Sequence, residues 1–292
     1  MAWQLTGDVG AFLAAAGGFL RANAVQNTIM LSVADALQSR GPAAFGDAAP
    51  LCGWWTEPDG AVSAALLQTP PYPILLTVLP PGAAAALAAE LAGRGHHPPG
   101  VNAAPGPAAE FAAAWKERTG QTSQVGMRMG LYALGRLLPP DPAPPGQART
   151  ALEADRDLLL AWLDAFHDEA GPIGPRESQQ VVDARLGFGG LAFWEHAGTP
   201  VALAGRSKPA AGLARIGPVY TPPGHRGRGF GGAVTAAVTQ AALDGGAEGA
   251  VLFTDLANPT SNTLYQRLGF TRVTDQIVLT FTDPRDGRSG PA

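Results

Sequence analysis

The sequence predicts a mixed α/β protein with a mostly antiparallel central sheet and flanking helices, built in two halves. Three observations carry this expectation. A chain of 292 residues that is 46% hydrophobic can bury a full core and is long enough for two domains of ordinary size. Its densest proline cluster, LLPPDPAPPGQ at 137–147, cannot be continuous helix or central strand, and it separates residues 1–138 from residues 147–292. Beyond it, runs of strand-forming residues joined by Gly and Pro turns give way at Gly229 to apolar residues spaced three and four apart.

Taken in order, the second half opens with a short strand. A helix follows, in which Leu158, Leu159, Trp162, Leu163 and Phe166 recur at helical spacing. SQQVVDARLG reads as a second helix, and GLAFWEHAGTPVALAGRS with AGLARIGPVYTPP as an antiparallel meander. Phe230, Ala233, Val234, Ala237, Val238 and Ala241 mark a further helix that stops at the DGG of 244–246. GAVLFTDL is then a short buried strand, PTSNTLYQRLG a short helix, and FTRVTDQIVLTFT a final pair of strand-like runs.

Composition narrows the partners. Twenty Lys and Arg stand against 24 Asp and Glu, for a formal net charge of -4, which disfavours nucleic acid or an anionic membrane surface as the main partner. A small molecule is the expected one. The single cysteine, Cys52, has no internal disulfide partner and sits in an apolar segment as a structural thiol. No basic segment near the start leads into an apolar run, and no apolar stretch reaches the ~20 residues needed to cross a bilayer, so a cytoplasmic protein is expected. His96 and His97 precede a PPG turn without other ligands near them, and no metal is expected.

The stretch PPGHRGRGFGGAV, 222–234, concentrates two arginines and five glycines in a chain with only 15% charged residues. It matches G-x-G-x-x-G at Gly227, Gly229 and Gly232, but a dinucleotide-binding domain needs more strand and helix units than the residues after Asp255 can supply. No Lys-Ser or Lys-Thr closes the glycines, which removes a Walker-type loop. The same residues also read as Arg226-x-x-Gly229-x-Gly231, a turn from a strand into a helix. Such a turn points successive N–H groups and a helix N-terminus at an anion, with Arg226 and Arg228 able to grip phosphate. Pyrophosphate is the natural guest.

This element order, with VYTPPGHRGRGFGGAV followed by LFTDLANPTSNTLYQRLGF, resembles the GCN5-related N-acetyltransferase superfamily over about residues 147–283. IGPVYTPP and FTDLANPTSNTLYQ look like its FR47-like group, which is similar in turn to the glycine N-acyltransferases. The resemblance implies an acyl-CoA N-acyltransferase fold that moves an acetyl or other short acyl group from CoA to the amine of a small molecule or amino acid. It implies that the pantetheine arm pairs with Val219 and Thr221, and that pyrophosphate sits on Arg226, Gly227, Arg228, Gly229, Phe230 and Gly231. Asn258 would bind the pantetheine arm or order its loop. Tyr265 falls at the family's general-acid position, where a hydroxyl that stays protonated at neutral pH can serve the leaving thiolate. Relatives often carry a glutamate on the strand before the glycine turn, which is absent here. Glu169 is then the leading base candidate, with His167 and Asp168 beside it, Glu195 and His196 behind, and a water relay open. The alternative is a non-catalytic acyl-CoA-binding or regulatory protein, and a homodimer is among the assemblies open to it.

Residues 1–138 read as a degenerate copy of the same fold. Pro80-Pro81-Gly82 followed by a helix matches Pro222-Pro223-Gly224, and Pro105 matches Pro259, which sets Ala104 against Asn258 and Phe111 against Tyr265. The cofactor is expected only in the second half.

Overall fold

The computed structural model describes residues 1–171 and 178–282. The chain divides into two compact units, Met1–Met129 with the chain from Thr274 onward, and Gly130–Val273. The boundary expected at 138/147 is displaced, for a topological reason: the last strand of each half completes the other unit's sheet.

Unit 1 begins with β1 (Ala2–Thr6), α1 (Val9–Ala22) and α2 (Thr28–Arg40). Asp8 starts α1 by accepting the N–H groups of Gly10 at 2.8 Å and Ala11 at 3.1 Å, the expected cap for otherwise unpaired first-turn donors. Then come β2 (Leu51–Thr56), β3 (Val62–Gln68), β4 (Ile74–Leu76), α3 (Ala83–Gly93), β5 (Gly100–Ala103), α4 (Pro105–Thr119) and β6 (Thr122–Leu134). Strands β1 to β4 are antiparallel neighbours, while β4 and β5 run parallel. The strand beside β5 is the last of the chain, with Ile277–Thr280 antiparallel to Gly100–Ala103. One face of this sheet buries Phe12, Leu20 and Leu31 of the first two helices against Cys52 and Leu67. The other buries Leu87, Leu91, Phe111 and Trp115 against Ile74 and Val101.

Unit 2 repeats that order: β7 (Gln147–Thr150), α5 (Arg156–Ala170), α6 (Ser178–Leu186), β8 (Leu191–His196), β9 (Thr199–Arg206), β10 (Leu213–Tyr220), α7 (Phe230–Asp244), β11 (Gly249–Asp255), α8 (Pro259–Arg267) and β12 (Phe270–Thr282). β7 to β10 are antiparallel neighbours, β10 and β11 are parallel, and β6 stands beside β11. Leu159, Leu163 and Val182 cover one face against Leu191, Phe193 and Leu203. Phe230, Val234, Val238 and Tyr265 cover the other against Ala214, Ile216, Leu252 and Phe270. The mixed, mostly antiparallel sheet with flanking helices is as expected.

One expectation is corrected. FTRVTDQIVLTFT is one strand of 13 residues, continuous through Thr274 and Asp275, with no Gly or Pro to break it. The proline cluster at 137–147 is held in place: Leu138 N–H bonds the Leu268 carbonyl, Trp194 Nε1 donates to the Pro145 carbonyl at 3.0 Å, and Pro144 lies against Gly229. No described helix is long and apolar enough to cross a membrane.

Cys52 on β2 is fully buried, and burial, with Asp8 adding its negative charge, pushes its thiol up to about 12. A thiol-specific disulfide reagent at pH 8 should therefore leave Cys52 unlabelled in the native protein and titrate one thiol in denaturant.

Candidate active site

The site is built where β10 and β11 part. Their parallel pairing covers Leu213–Arg215 against Gly249–Val251 and ends there, although β10 runs on to Tyr220 and β11 to Asp255. On its other side β10 keeps its partner: Ile216 faces Arg206, and Val219 and Tyr220 face Ala204 and Leu203 after a register shift between Ile216 and Val219. The shift includes Pro218, which has no N–H to give a ladder, so the bulge expected there is present. From Ile216 to Tyr220 the β11 side of β10 is therefore a parted edge, able to accept an extended polar chain in place of a strand.

At the end of that edge the chain turns into α7. Gly229 is the N-cap at φ +81°, in the left-handed region, and Gly227 lies there too at φ +73°. No side chain caps α7, so its first-turn N–H groups at Phe230, Gly231 and Gly232 look outward from a positive helix end. A Cβ on Gly231 would stand 3.1 Å from Thr221 Oγ1, so position 231 lets the two ends of the turn close on each other. Beside it, His225 Nδ1 is buried and has no hydrogen-bond partner among the described residues. These backbone donors, the orphaned ring nitrogen and the parted edge fit the phosphate and amide groups of an acyl-CoA.

The two arginines of the turn do different things. Arg226 donates through Nη2 to both Glu169 oxygens at 2.7 Å and through Nε to the Thr221 carbonyl at 2.8 Å, and it lies over the Tyr220 ring. Arg228 lies over the Phe230 ring, 4.9 Å from its centre, and has no carboxylate partner among the described residues. The structure thus joins two residues expected in separate roles, the base candidate and a phosphate arginine, in one ion pair. Arg226 also takes the carbonyl of Thr221, one of the two residues whose backbone was expected to pair with the pantetheine arm.

Asn258 is the N-cap of α8, accepting the Ser261 N–H at 3.1 Å. Its carbonyl and that of Asp255 take both Asn262 amide hydrogens, at 2.7 and 2.9 Å, and Asn262 Oδ1 accepts Tyr132 Oη at 2.8 Å. Of the two roles expected for Asn258, ordering the loop is the one these bonds describe. Tyr132 and Asn262, which fix α8 from a distant strand, carry no signal in the sequence, since the two lie 130 positions apart.

Tyr265 lies on α8 between Leu264 and Leu268, edge-on to Phe270 and 8% exposed. Burial pushes its phenol up to about 12, because a phenolate would lose its hydration. Of the other base candidates, His167 Nδ1 is 3.4 Å from Ser178 Oγ, which donates to Asp164 at 2.6 Å, and Glu195 accepts Arg149 at 2.7 Å. Glu195 and His196 lie on β8, not in the hairpin turn expected for them. Among the described residues no group of three His, Cys, Asp or Glu could hold a metal ion.

In unit 1 the corresponding turn, residues 77–82, has three residues fewer than the turn at 221–229, and α3 starts directly after Gly82, itself left-handed at φ +82°. Gly82 stands before α3 as Gly229 stands before α7, each left-handed. Ala104 caps α4 where Asn258 caps α8, and Phe111 is buried in a ring cluster with Trp115 and Phe281.

A model of the FR47-like protein family matches residues 197–279, which span β9, β10, the glycine turn, α7, β11, α8 and most of β12. Solved structures match nearly the whole chain. A Drosophila protein is 14% identical with TM-score 0.63, covering 96% of this chain and 98% of its own. A GCN5-related N-acetyltransferase from Sphaerobacter thermophilus is 19% identical with TM-score 0.59, covering 97% and 96%, and a GNAT-family acetyltransferase from Colwellia psychrerythraea is 12% identical with TM-score 0.57, covering 96% and 99%. The fold is that of the GCN5-related N-acetyltransferases. Curated protein sequences yield no match.

The raised Tyr265 pKa has a consequence for stability. A phenol that ionises near 10 unfolded and near 12 folded contributes stability that is present below pH 10 and lost as pH rises to 12. Wild type should lose stability over that window, measured by denaturant unfolding, and Tyr265→Phe should lose less.

Proposed function

We propose that unit 2 is an acyl-CoA-dependent N-acyltransferase, moving an acetyl or other short acyl group to the amine of a small molecule. The observation that carries this is the parted edge of β10 running directly into an uncapped helix N-terminus: one surface offers unpaired strand groups for amides and N–H donors for phosphates. Val219 offers the strand edge. Gly227, Gly229, Phe230 and Gly231 offer backbone donors, and Arg228 offers a guanidinium not already committed to a carboxylate. Arg226 reaches phosphate only by exchanging its Glu169 partner. Bound acyl-CoA would supply an activated thioester at this edge.

Tyr265 holds the proton that the departing sulfur needs. In the transfer the acceptor nitrogen bonds the acyl carbon, the carbon–sulfur bond breaks, and the Oη proton goes to sulfur. The acceptor's surplus proton leaves to water, and water reprotonates Tyr265. A phenol near 12 is only a modest acid but is fully loaded at neutral pH. Glu169, held by both oxygens, must break its pair with Arg226 before it can take a proton, so water is the better base in this state. Unit 1 is proposed as a copy that has lost this site, since its element order repeats while Ala104, Phe111 and the shorter turn remove amide, hydroxyl and donors.

Calorimetric titration with acetyl-CoA should show binding that Arg228→Ala weakens about tenfold, the scale of a lost charge-assisted contact. Binding of no acyl-CoA would end the proposal. Tyr265→Phe should lower kcat by ~10²-fold with acetyl-CoA affinity nearly intact; unchanged kcat would remove Tyr265 from its role. The captive Glu169 favours a second reading, acyl-CoA binding without turnover. Free-thiol release across amino acids, polyamines, aminoglycosides and peptide N-termini separates the two.

A further inference from the structure

Unit 1 carries a cleft of its own, at the place in its sheet where two parallel strands part. β4 and β5 pair only at Ile74 with Val101 and at Leu75 with Asn102, and the cleft is lined from that point of the sheet and from the joint between α1 and α2. Four side-chain amides belong to it: Gln26 and Asn27 from the joint, Asn102 from β5 and Gln276 from β12. Ile29, Met30 and Leu75 supply apolar wall, and none of the residues lining the cleft is ionisable. The carboxyl ends of parting parallel strands are where open sheets hold small ligands.

The amides are only partly used. Asn27 stands at the start of α2 yet caps nothing there; its Nδ2 donates back to the Leu20 carbonyl at 3.1 Å, and its Oδ1 has no partner among the described residues. Gln276 donates Nε2 to Asn102 Oδ1 at 3.0 Å, which leaves Gln276 Oε1 and Asn102 Nδ2 unmatched in the same way. Asn27 and Gln276 are only 9% and 8% exposed, so bulk water does not surround them. The fully buried unpaired side-chain atoms among the described residues are Trp55 Nε1 and His225 Nδ1, so the free ends of these amides keep an opening, and the cleft they line is that opening.

Two free acceptors and a free donor thus belong to one uncharged cleft. A charged guest would find no counter-ion there, whereas a planar neutral amide carries the matching groups, an N–H to give and a carbonyl to receive one. The floor has room for about one water, so a guest seats one such group and leaves its body against Met30 and Leu75. We propose that this cleft is a second small-molecule site, in unit 1, for a neutral guest that presents a carboxamide or a lactam. It stands independently of the acyltransfer reading, and acyl-CoA, which brings charged phosphates, is not its guest.

The test is NMR on the full chain labelled at the methionine methyl groups, because Met30 lines the cleft and Met1, Met127 and Met129 do not. Benzamide is the probe, with benzoate and methyl benzoate as controls: the first carries a charge and the second has no donor. Benzamide should shift the Met30 methyl saturably, and each control should bind about tenfold more weakly. Asn102→Asp keeps an acceptor for Gln276 and exchanges the free donor for a charge, so it should weaken benzamide binding about tenfold. Gln26→Ala, at an exposed position, should weaken it about threefold, and it decides the matter should Asn102→Asp fail to fold. No saturable Met30 shift with benzamide, equal binding of benzamide and benzoate, or binding that both substitutions leave untouched overturns the proposal and leaves the cleft to water. So does a Met30 shift with acetyl-CoA that benzamide competes away, which would make the cleft a cofactor site.

Discussion

The early end of the β10–β11 pairing is the constraint on which the rest of unit 2 depends. Three residue pairs hold the parallel strands together, and then β10 bulges at 216–219 while β11 goes its own way. A buried strand with an unpaired edge is normally avoided, because every unmatched N–H and C=O costs free energy. Here the antiparallel side of β10 stays paired with β9, so the strand is held rigidly while its other side is offered outward. The helices act on this edge from both faces. α7 begins where it ends and aims unpaired donors along it, while α6 reaches into its bulge through Arg185.

The glycine turn shows how conformation and charge cooperate. Gly227 and Gly229 adopt left-handed backbone that a side chain would strain, and Gly231 allows Thr221 to come close. The Arg226–Glu169 pair ties the turn to α5. Both partners are about half exposed, at 46% and 48%, so the pair is a weak tether that a more strongly charged guest can replace. Arg228 stays available. The turn in unit 1 keeps one left-handed glycine, Gly82, but it is shorter, carries no arginine, and leads into a helix rich in alanine.

What could be read from the sequence follows the range of the interaction. The Arg226-x-x-Gly229-x-Gly231 turn, the Pro259 helix start, the Asn258 cap and the repeated element order are encoded within a few residues of each other, so spacing reveals them. The starts of α4 and α8 were legible for the same reason, each having a proline at the first helical position after Ala104 or Asn258. The displaced unit boundary was not, because nothing local in FTRVTDQIVLTFT says that its second part pairs with β5 instead of a neighbour in its own half. Tyr132 with Asn262, Glu169 with Arg226, and Arg185 with Gly217 join residues 130, 57 and 32 positions apart, which no periodicity records. The base expected at Glu169 became a tether by the same kind of long-range pairing.

Hydrogen–deuterium exchange with and without acetyl-CoA tests the central claim most directly, because the claim concerns which backbone amides a guest covers. The account predicts new protection at residues 216–221 and 227–232, with the amides of the unit 1 turn at 77–83 unchanged. Protection at 77–83, or none along the β10 edge and the glycine turn at saturating acetyl-CoA, would contradict it.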